Sequence, residues 1–264
     1  RSRRQRQMCI RDRTSSGVLG PPAMGAAMTR GKRAGSSGGM GSTLTPTSHR
    51  LGTVFDFLRR LFSSSPAPAP AQDRGFDLAA IDAEWLIVGL GNPGAQYAAT
   101  RHNVGYMALD ELIDAPLQPL PGIKAHGLMV PDTNAFAVRS TTYMNLSGEG
   151  IAPVAEKLGI PPERIVVLHD ELDLPAGKVR VKLGGNENGH NGLKSLTEHL
   201  GTRDYIRVRI GIGRPPKGTP VPDWVLGPVE DKGLDVQIAL AAEAARLVVT
   251  QGLQRAQNEI HARN

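Results

Sequence analysis

From Trp85 to the C-terminus, short apolar runs alternate with segments whose apolar residues repeat at helical spacing. Leu86–Gly89 and Ile165–Leu168 are runs of the length expected for buried strands, whereas the apolar residues of 151–158 recur at i, i+3, i+4 and i+7. Strands that alternate with helices predict a sheet covered by helices. We therefore expect an α/β fold in this part of the chain.

The remaining segments extend the same alternation. Further strands are predicted at Phe136–Arg139, Val179–Leu183 and Ile206–Ile212, where apolar residues lie on one face. Further helices are predicted at His102–Ile113, Leu193–Leu200 and Leu234–Gln257.

Charge divides the chain into two unlike parts. The net charge is +6, but residues 1–83 hold 13 basic and 5 acidic residues, whereas residues 84–264 hold 18 and 20. Within the second part, residues 178–217 hold nine basic and three acidic residues, a local patch that suits phosphate. The same pattern also suits a solvated charged surface.

Residues 1–83 are predicted to be a disordered leader, followed by a catalytic domain at 84–264. The leader is rich in Arg, Ser, Gly and Pro, a composition that buries too little apolar surface to offset chain entropy. Its opening, RSRRQRQMCIRDR, resembles translated adapter sequence, so we expect part of it to be non-native. Two alternatives remain open: an organelle transit peptide, and an amphipathic membrane or partner contact at residues 54–62.

Several reaction classes have no support in the sequence. The chain lacks a G-x-S-x-G elbow, a phosphate loop ending in GK[ST] and an H-E-x-x-H pair. Its one cysteine, Cys9, lies in the leader, and no run of 18 apolar residues predicts a membrane span. GLGNPG at 89–94 matches a dinucleotide-binding loop, but Pro93 removes a backbone donor, and the acidic residues about 20 positions further on, Asp110 and Glu111, lie in a helical pattern and do not end a strand. A nicotinamide-dependent enzyme is therefore a distant alternative.

Polar residues concentrate where elements end. In open α/β sheets, ligands lie beyond the carboxyl ends of strands, so several such residues together predict a shared site. Each alone has a plainer explanation as a turn or cap residue. A metal is not predicted, because the spacing of the histidines and Asp170 has no metal signature. The residues are Asn92, His102, Asn103, Asn145, His169, Asp170, His190 and Asn191.

Five long motifs resemble the bacterial peptidyl-tRNA hydrolase family in order and spacing, from about residue 85 to the end. They are LIVGLGNPGAQYAATRHNVGYMALDEL (86–112), TTYMNLSGEGI (141–151), HDELDLPAGKVRVKLGG (169–185), GHNGLKSL (189–196) and YIRVRIGIGRP (205–215).

The resemblance implies one α/β domain with a mixed, twisted sheet between two helical layers, and hydrolysis of the ester joining a peptide to tRNA. His102 lies at the position of the catalytic base, Asp170 at that of its partner carboxylate, and Asn92 at an asparagine that distinguishes blocked from free aminoacyl-tRNA. The resemblance places Tyr97, Tyr143, Met144, Asn145, His190 and Asn191 at substrate-binding positions, and Lys182 and Arg209 at tRNA phosphate contacts. From the charge pattern we add Lys178, Arg180 and Arg207 as phosphate candidates.

The expected protein is a cytoplasmic monomer that binds tRNA, needs no cofactor and does not contact a membrane. The alternative is a non-catalytic RNA-binding homologue that acts in RNA processing. The chain departs from the family pattern at Asn186 and Asn188, where glycine is usual, and at Ser140, where proline is usual. The segment between the first helix and TTYMN is also shorter than usual. These departures concern loop geometry and leave the predicted catalytic positions unchanged.

Overall fold

A computed structural model describes residues 77–229 and 232–263. Within them, seven strands form one mixed sheet in the order β2-β3-β4-β1-β5-β7-β6. The strands β4, β1, β5 and β7 are parallel, while β2 and β3 at one edge and β6 at the other run antiparallel to their neighbours. The strands are β1 (Trp85–Gly89), β2 (Gln118–Pro119), β3 (Ala125–Met129), β4 (Ala135–Ser140), β5 (Ile165–Glu171), β6 (Val179–Leu183) and β7 (Ile206–Gly211).

Helices cover both faces of this sheet, which confirms the predicted three-layer α/β fold. One face packs against α1, α5 and α6, and the other packs against α2 and α3. Because side chains alternate along a strand, neighbouring residues such as Ile87 and Val88 belong to opposite cores. The helices are α1 (Val104–Asp110), α2 (Ser147–Leu158), α3 (Asn191–Leu200), α4 (Val221–Val225), α5 (Leu234–Gln251) and α6 (Leu253–Ala262).

Two of the predicted helices were wrong in their bounds. The predicted helix His102–Ile113 is a 3-10 turn, Arg101–Asn103, followed by the shorter α1. The predicted helix Leu234–Gln257 is interrupted at Gly252, whose φ of 84° and ψ of 163° are open to glycine and break the helical hydrogen bonds. The short β2, β3 and α4 were not predicted from the sequence.

A glycine lets α1 lie directly on the ends of β1 and β5. A Cβ added to Gly105 would lie 2.4 Å from the carbonyl oxygen of Leu168 and 2.6 Å from that of Leu90. Side chains do not tolerate such distances to backbone atoms. Gly105 therefore allows the close approach that brings the start of α1, and with it His102, to the carboxyl end of β5.

Described residues that precede the predicted boundary at residue 84 also pack against the domain. A 3-10 turn, Leu78–Ala80, is closed by the Asp77 side chain, and Leu78 is buried in the core beneath α2. Residues 1–76 lie outside the described residues, so the predicted leader and its 54–62 stretch stay predictions. Among the residues described, none of the helices combines the length and apolar character needed to cross a bilayer.

Candidate active site

The carboxylate of Asp170 joins two histidines at the carboxyl end of β5. His102 Nδ1 lies 2.8 Å from Asp170 Oδ1, and His190 Nε2 lies 2.9 Å from the same oxygen. Asp170 is 3% exposed and His102 is 8% exposed, so these hydrogen bonds are shielded from water. Sequence separations of 68 and 20 residues make the cluster a product of the fold.

The capping role of His190 determines its tautomer. His190 is the N-cap of α3, and its Nδ1 accepts hydrogen bonds from the backbone N–H groups of Gly192 and Leu193. Nδ1 is therefore unprotonated, and Nε2 carries the proton that is donated to Asp170. Because Nε2 is a donor here, the His102, Asp170 and His190 cluster has hydrogen-bond chemistry, although its three ligand atoms lie within 4.8 Å of one another.

His102 is arranged to accept a proton. Its Nδ1 donates to Asp170, while its Nε2 makes no hydrogen bond to any described residue and is the free ring nitrogen. Burial lowers the pKa of His102, but the charge of Asp170 and its hydrogen bond outweigh burial and raise the pKa above 6.5. Burial also raises the pKa of Asp170, yet the two histidines hold it well below its usual range, so the carboxylate stays ionised.

Asn92 is held both through its side-chain oxygen and through its backbone. Its Oδ1 accepts a hydrogen bond of 2.8 Å from the backbone N–H of Met144. The side chain of Asn103 bonds both the N–H and the carbonyl of Asn92, each at 2.9 Å. The Nδ2 of Asn92 has no partner among the described residues and remains a donor. The sequence predicted that Asn103 opens a helix, but it did not predict the two hydrogen bonds between its side chain and the backbone of Asn92.

The hydrogen bonds between Asn103 and Asn92 also argue against the dinucleotide-binding alternative. In G-x-G-x-x-G loops, free backbone N–H groups approach the pyrophosphate. Here the N–H of Asn92 is bonded to Asn103, and Pro93 has none. The GLGNPG loop therefore serves to hold Asn92 and offers little to a nucleotide.

The predicted substrate-binding residues surround these groups. Met144 is buried, and its sulfur lies against Gly192, next to the histidine cap. The rings of Tyr97 and Tyr143 meet edge to face at 6.3 Å, and Tyr143 is 49% exposed. Asn145 and Asn191 are exposed neighbours of Met144 and His190 in the chain. The structure thus brings these residues to the same end of the sheet as His102.

Lys182 and Arg209 lie apart from this cluster, on adjacent strands of the sheet. Arg209 is half-buried, and its Nε donates to Glu171 at 2.8 Å, which leaves its two Nη groups without partners among the described residues. Lys182 is also half-buried, and burial followed by the charges of Arg209 and Arg207 lowers its pKa. Arg180 lies opposite Arg209 in the β6–β7 ladder and belongs to the same sheet face.

Arg207 does not fit its predicted role as a phosphate contact. It is 1% exposed, and its guanidinium donates to the carbonyls of Asn186 and Gly185, each at 2.7 Å. The alternation of β7 predicted exposure, but the 184–190 segment covers this position. The predicted exposure of Arg207, on which its role as a phosphate contact depended, was therefore wrong.

Glycine-like geometry persists at one of the two unusual asparagines. Asn188 has a φ of 49°, a left-handed conformation that asparagine tolerates better than most residues. Its side chain also lies 3.4 Å from a carboxylate oxygen of Asp173. The loop therefore keeps the backbone path that glycine would permit at this position.

Fold and site together define an α/β enzyme whose buried histidine–carboxylate pair is suited to general-base chemistry. The family model described as peptidyl-tRNA hydrolase matches residues 86–264. A peptidyl-tRNA hydrolase 2 of Corynebacterium glutamicum is 64% identical over 185 residues, which cover 69% of this chain and 89% of the relative. A peptidyl-tRNA hydrolase of Cutibacterium acnes is 46% identical, with 67% and 98% covered.

A solved structure agrees with these relatives. The crystal structure of peptidyl-tRNA hydrolase from Acinetobacter baumannii has a TM-score of 0.63 and 35% identity to this chain, covering 69% of this chain and 96% of the other. The chain belongs to the peptidyl-tRNA hydrolase family. The resemblance predicted from the five motifs is thereby confirmed.

Proposed function

We infer that this protein hydrolyses the ester that joins a peptide to the 3′ end of tRNA, and so returns tRNA from prematurely released chains to translation. The observation that carries this inference is the buried Asp170 carboxylate, which holds His102 with its Nε2 free. Family membership supplies the substrate. Water can attack the carbonyl carbon of an ester directly. The reaction therefore needs a general base and a hydrogen-bond donor to the oxyanion, and it does not need a protein nucleophile.

In the proposed mechanism, His102 Nε2 takes a proton from water as the water oxygen attacks the ester carbonyl. The carbonyl becomes a tetrahedral oxyanion, which then expels the 3′-oxygen of tRNA. The proton on His102 passes to that leaving oxygen, so the base is restored. Asp170 accepts a hydrogen bond from Nδ1 throughout and stabilises the imidazolium formed between the two steps.

Asn92 and Asn145 are proposed to bind the carbonyl side of the substrate. The Nδ2 of Asn92 is the free half of a side chain whose other half is held by Met144. Asn145 follows Met144 in the chain and is exposed, so its amide is available for the oxyanion or the peptide. Donors fixed before the reaction act where charge develops, and losing one typically costs about a hundredfold in rate.

The other contacts divide between peptide and tRNA. The Tyr97 and Tyr143 rings, with Met144, are proposed to contact the peptide and the terminal nucleotide, since aromatic rings stack on bases of any sequence. Lys182 and Arg209 are proposed to contact tRNA phosphates, which position a nucleic acid without reading its sequence. Asn191 and His190 lie at the start of α3 beside the reacting ester.

Cytoplasmic location, a monomeric state and independence from cofactors are proposed with this function. The location follows from the substrate, which arises during translation. The second candidate, an RNA-binding homologue without catalysis, is disfavoured because its relatives are hydrolases and because a binding role does not require a buried, oriented base. The arrangement around His102 supports catalysis.

The test is hydrolysis of N-blocked aminoacyl-tRNA by the full chain and by His102→Ala. We expect the parent to release the blocked amino acid while it spares unblocked aminoacyl-tRNA, and His102→Ala to lose about a hundredfold or more in kcat. His126→Ala is the matched control, since His126 lies in β3, away from the site. Binding of tRNA without hydrolysis by the parent would favour the RNA-binding alternative.

A further inference from the structure

We propose that Arg207 is a positioning residue, which holds the 184–190 segment (the crossing segment) against the sheet and so keeps His190 on Asp170. The inference rests on the proposed function, because its consequence for activity is expressed in hydrolysis. It assigns to Arg207 a role different from that of the cations beside it.

The path of the chain explains why the crossing segment needs an anchor. β6 runs antiparallel to β7, so Leu183 lies opposite Ile206, at the start of β7. Asp170 lies opposite Ile210, near the other end of that strand. The crossing segment must therefore run back along the sheet to bring His190 to Asp170, and it passes over Arg207 on the way.

Arg207 meets the crossing segment with both ends of its guanidinium fork. Nη1 donates to the carbonyl of Asn186 and Nη2 to that of Gly185, each at 2.7 Å. These two bonds tie the middle of the crossing segment to the sheet, and the donor is 1% exposed. Hydrogen bonds from a buried cation to carbonyls are stronger than neutral ones, so the fork fixes two consecutive peptide units.

Two further contacts pass this anchorage on to His190. The backbone N–H of His190 donates to the carbonyl of Glu187 at 2.8 Å, which follows directly after the residues held by Arg207. The side chain of Glu187 is bound by Arg203 Nε at 2.6 Å. The crossing segment is thus held at residues 185, 186 and 187. These contacts fix the position from which the His190 ring reaches Asp170.

Arg207 is also linked to α3, the helix that begins after His190, through the side chain of Tyr205. Its guanidinium carbon lies 4.7 Å from the centre of the Tyr205 ring, and the Tyr205 hydroxyl donates to the carbonyl of Leu193 at 3.3 Å. His190 is therefore held from both sides, by the crossing segment before it and by the first turn of α3 after it. Arg207 takes part in both, through its bonds to residues 185 and 186 and through its contact with Tyr205.

The burial of Arg207 distinguishes a positioning residue from a residue that binds phosphate. Arg209 and Lys182 are half-buried and keep donors available, whereas Arg207 has its fork occupied by carbonyls. A phosphate contact contributes to the salt dependence of binding, about 0.9 in the logarithmic slope for each phosphate neutralised on a duplex. A positioning residue leaves that slope unchanged and acts on the chemical step.

The experiment compares Arg207→Lys and Arg207→Met with Arg209→Lys and Arg209→Met. Lysine at 207 retains the buried charge and most of the volume, so the protein stays folded for measurement, but lysine cannot bind both carbonyls in a fork. We expect Arg207→Lys to lower kcat about tenfold or more, since small misplacements in a site cost up to about a hundredfold. The salt slope and KM are expected to stay near the parent values in both folded Arg207 variants, including Arg207→Met, which removes the charge. In Arg209→Met, which also removes a charge, we expect the reverse: a higher KM, a flatter salt slope and a retained kcat, whereas Arg209→Lys should keep the parent slope.

A second measurement reports on His190 directly. The imidazole proton of His190 that is bonded to Asp170 is followed by NMR in parent and folded Arg207→Lys. We expect its signal to broaden or shift toward solvent-exchange behaviour in the variant, which a stability loss elsewhere would not produce. If the parent shows this proton but no hydrolysis, the proposed function fails while the positioning role still stands.

Two results would overturn the proposal. One is an unchanged kcat and an unchanged His190 proton signal in folded Arg207→Lys. The other is a salt slope flattened by about 0.9 together with a raised KM in folded Arg207→Met, because that pattern identifies a phosphate contact.

Discussion

Replacing Asp170 with asparagine should reverse the direction in which the protein shifts the pKa of His102. Asparagine keeps the shape and one acceptor oxygen but removes the charge. In the parent, burial lowers the pKa of His102, and only the charge and hydrogen bond of Asp170 raise it above 6.5. With both raising contributions removed or weakened, burial prevails, and the pKa of His102 is expected to fall below 6.5.

The size of the rate effect follows from the geometry. Two unit charges 2.8 Å apart attract by about 6 kcal/mol at an effective dielectric constant of 20. If about half of the imidazolium charge has developed in the transition state, Asp170→Asn loses about 3 kcal/mol. That corresponds to about a hundredfold in rate, since each 1.36 kcal/mol is tenfold.

The assay is kcat/KM for N-blocked aminoacyl-tRNA between about pH 5 and 8, where the acid limb reports the pKa of the base in the free enzyme. The parent limb should lie above pH 6.5 and the Asp170→Asn limb below it, with a plateau about a hundredfold lower. Asp110→Asn, an exposed carboxylate at the end of α1, is the matched control and should leave both unchanged. An acid limb that stays in place in Asp170→Asn would refute the reasoning, since the charge of Asp170 would then not govern the base.

Three other changes test separate parts of the site. Gly105→Ala introduces a Cβ 2.4 Å from the Leu168 carbonyl, so α1 must shift; we expect a loss of about 1–3 kcal/mol in denaturant unfolding and a lower kcat. Asn92→Ala removes the free amide donor, and rates with blocked and unblocked substrates should show about a hundredfold loss on the blocked one and poorer discrimination. Lys182→Met should lower the salt slope of kcat/KM by about 0.9 while kcat at saturation is retained; a slope equal to the parent's would exclude a phosphate contact at this position.

The strands were predictable because apolar alternation is a local property. In β1, β5 and β7, apolar residues either alternate with polar ones or follow one another without interruption, because one or both faces of each strand are buried. The grouping of polar residues at strand ends was also predictable, since parallel strands end at one edge. The structure places His102, Asp170 and His190 at that edge, in direct contact.

Other features depend on distant parts of the chain and have no local signature. Arg207 alternates with apolar residues like an exposed residue, and only the crossing segment, which comes from β6, buries it. The helix predicted from His102 opens with a 3-10 turn, in which the side chain of Asn103 binds Asn92, eleven residues earlier. The interruption at Gly252 depends on a left-handed φ that the apolar pattern on either side of it does not reveal.

The capping of α3 by His190 fixes which ring nitrogen beside Asp170 stays open to the substrate. A second proton on that ring would have to be placed at Nδ1, where it would face the N–H groups of Gly192 and Leu193. His169 is likewise restricted, because burial above all lowers its pKa well below 6.5 and keeps it neutral. Of the two imidazoles bonded to the Asp170 carboxylate, His102 keeps its second ring nitrogen open, whereas that of His190 is occupied by the start of α3, so we expect the proton taken from water to pass to His102.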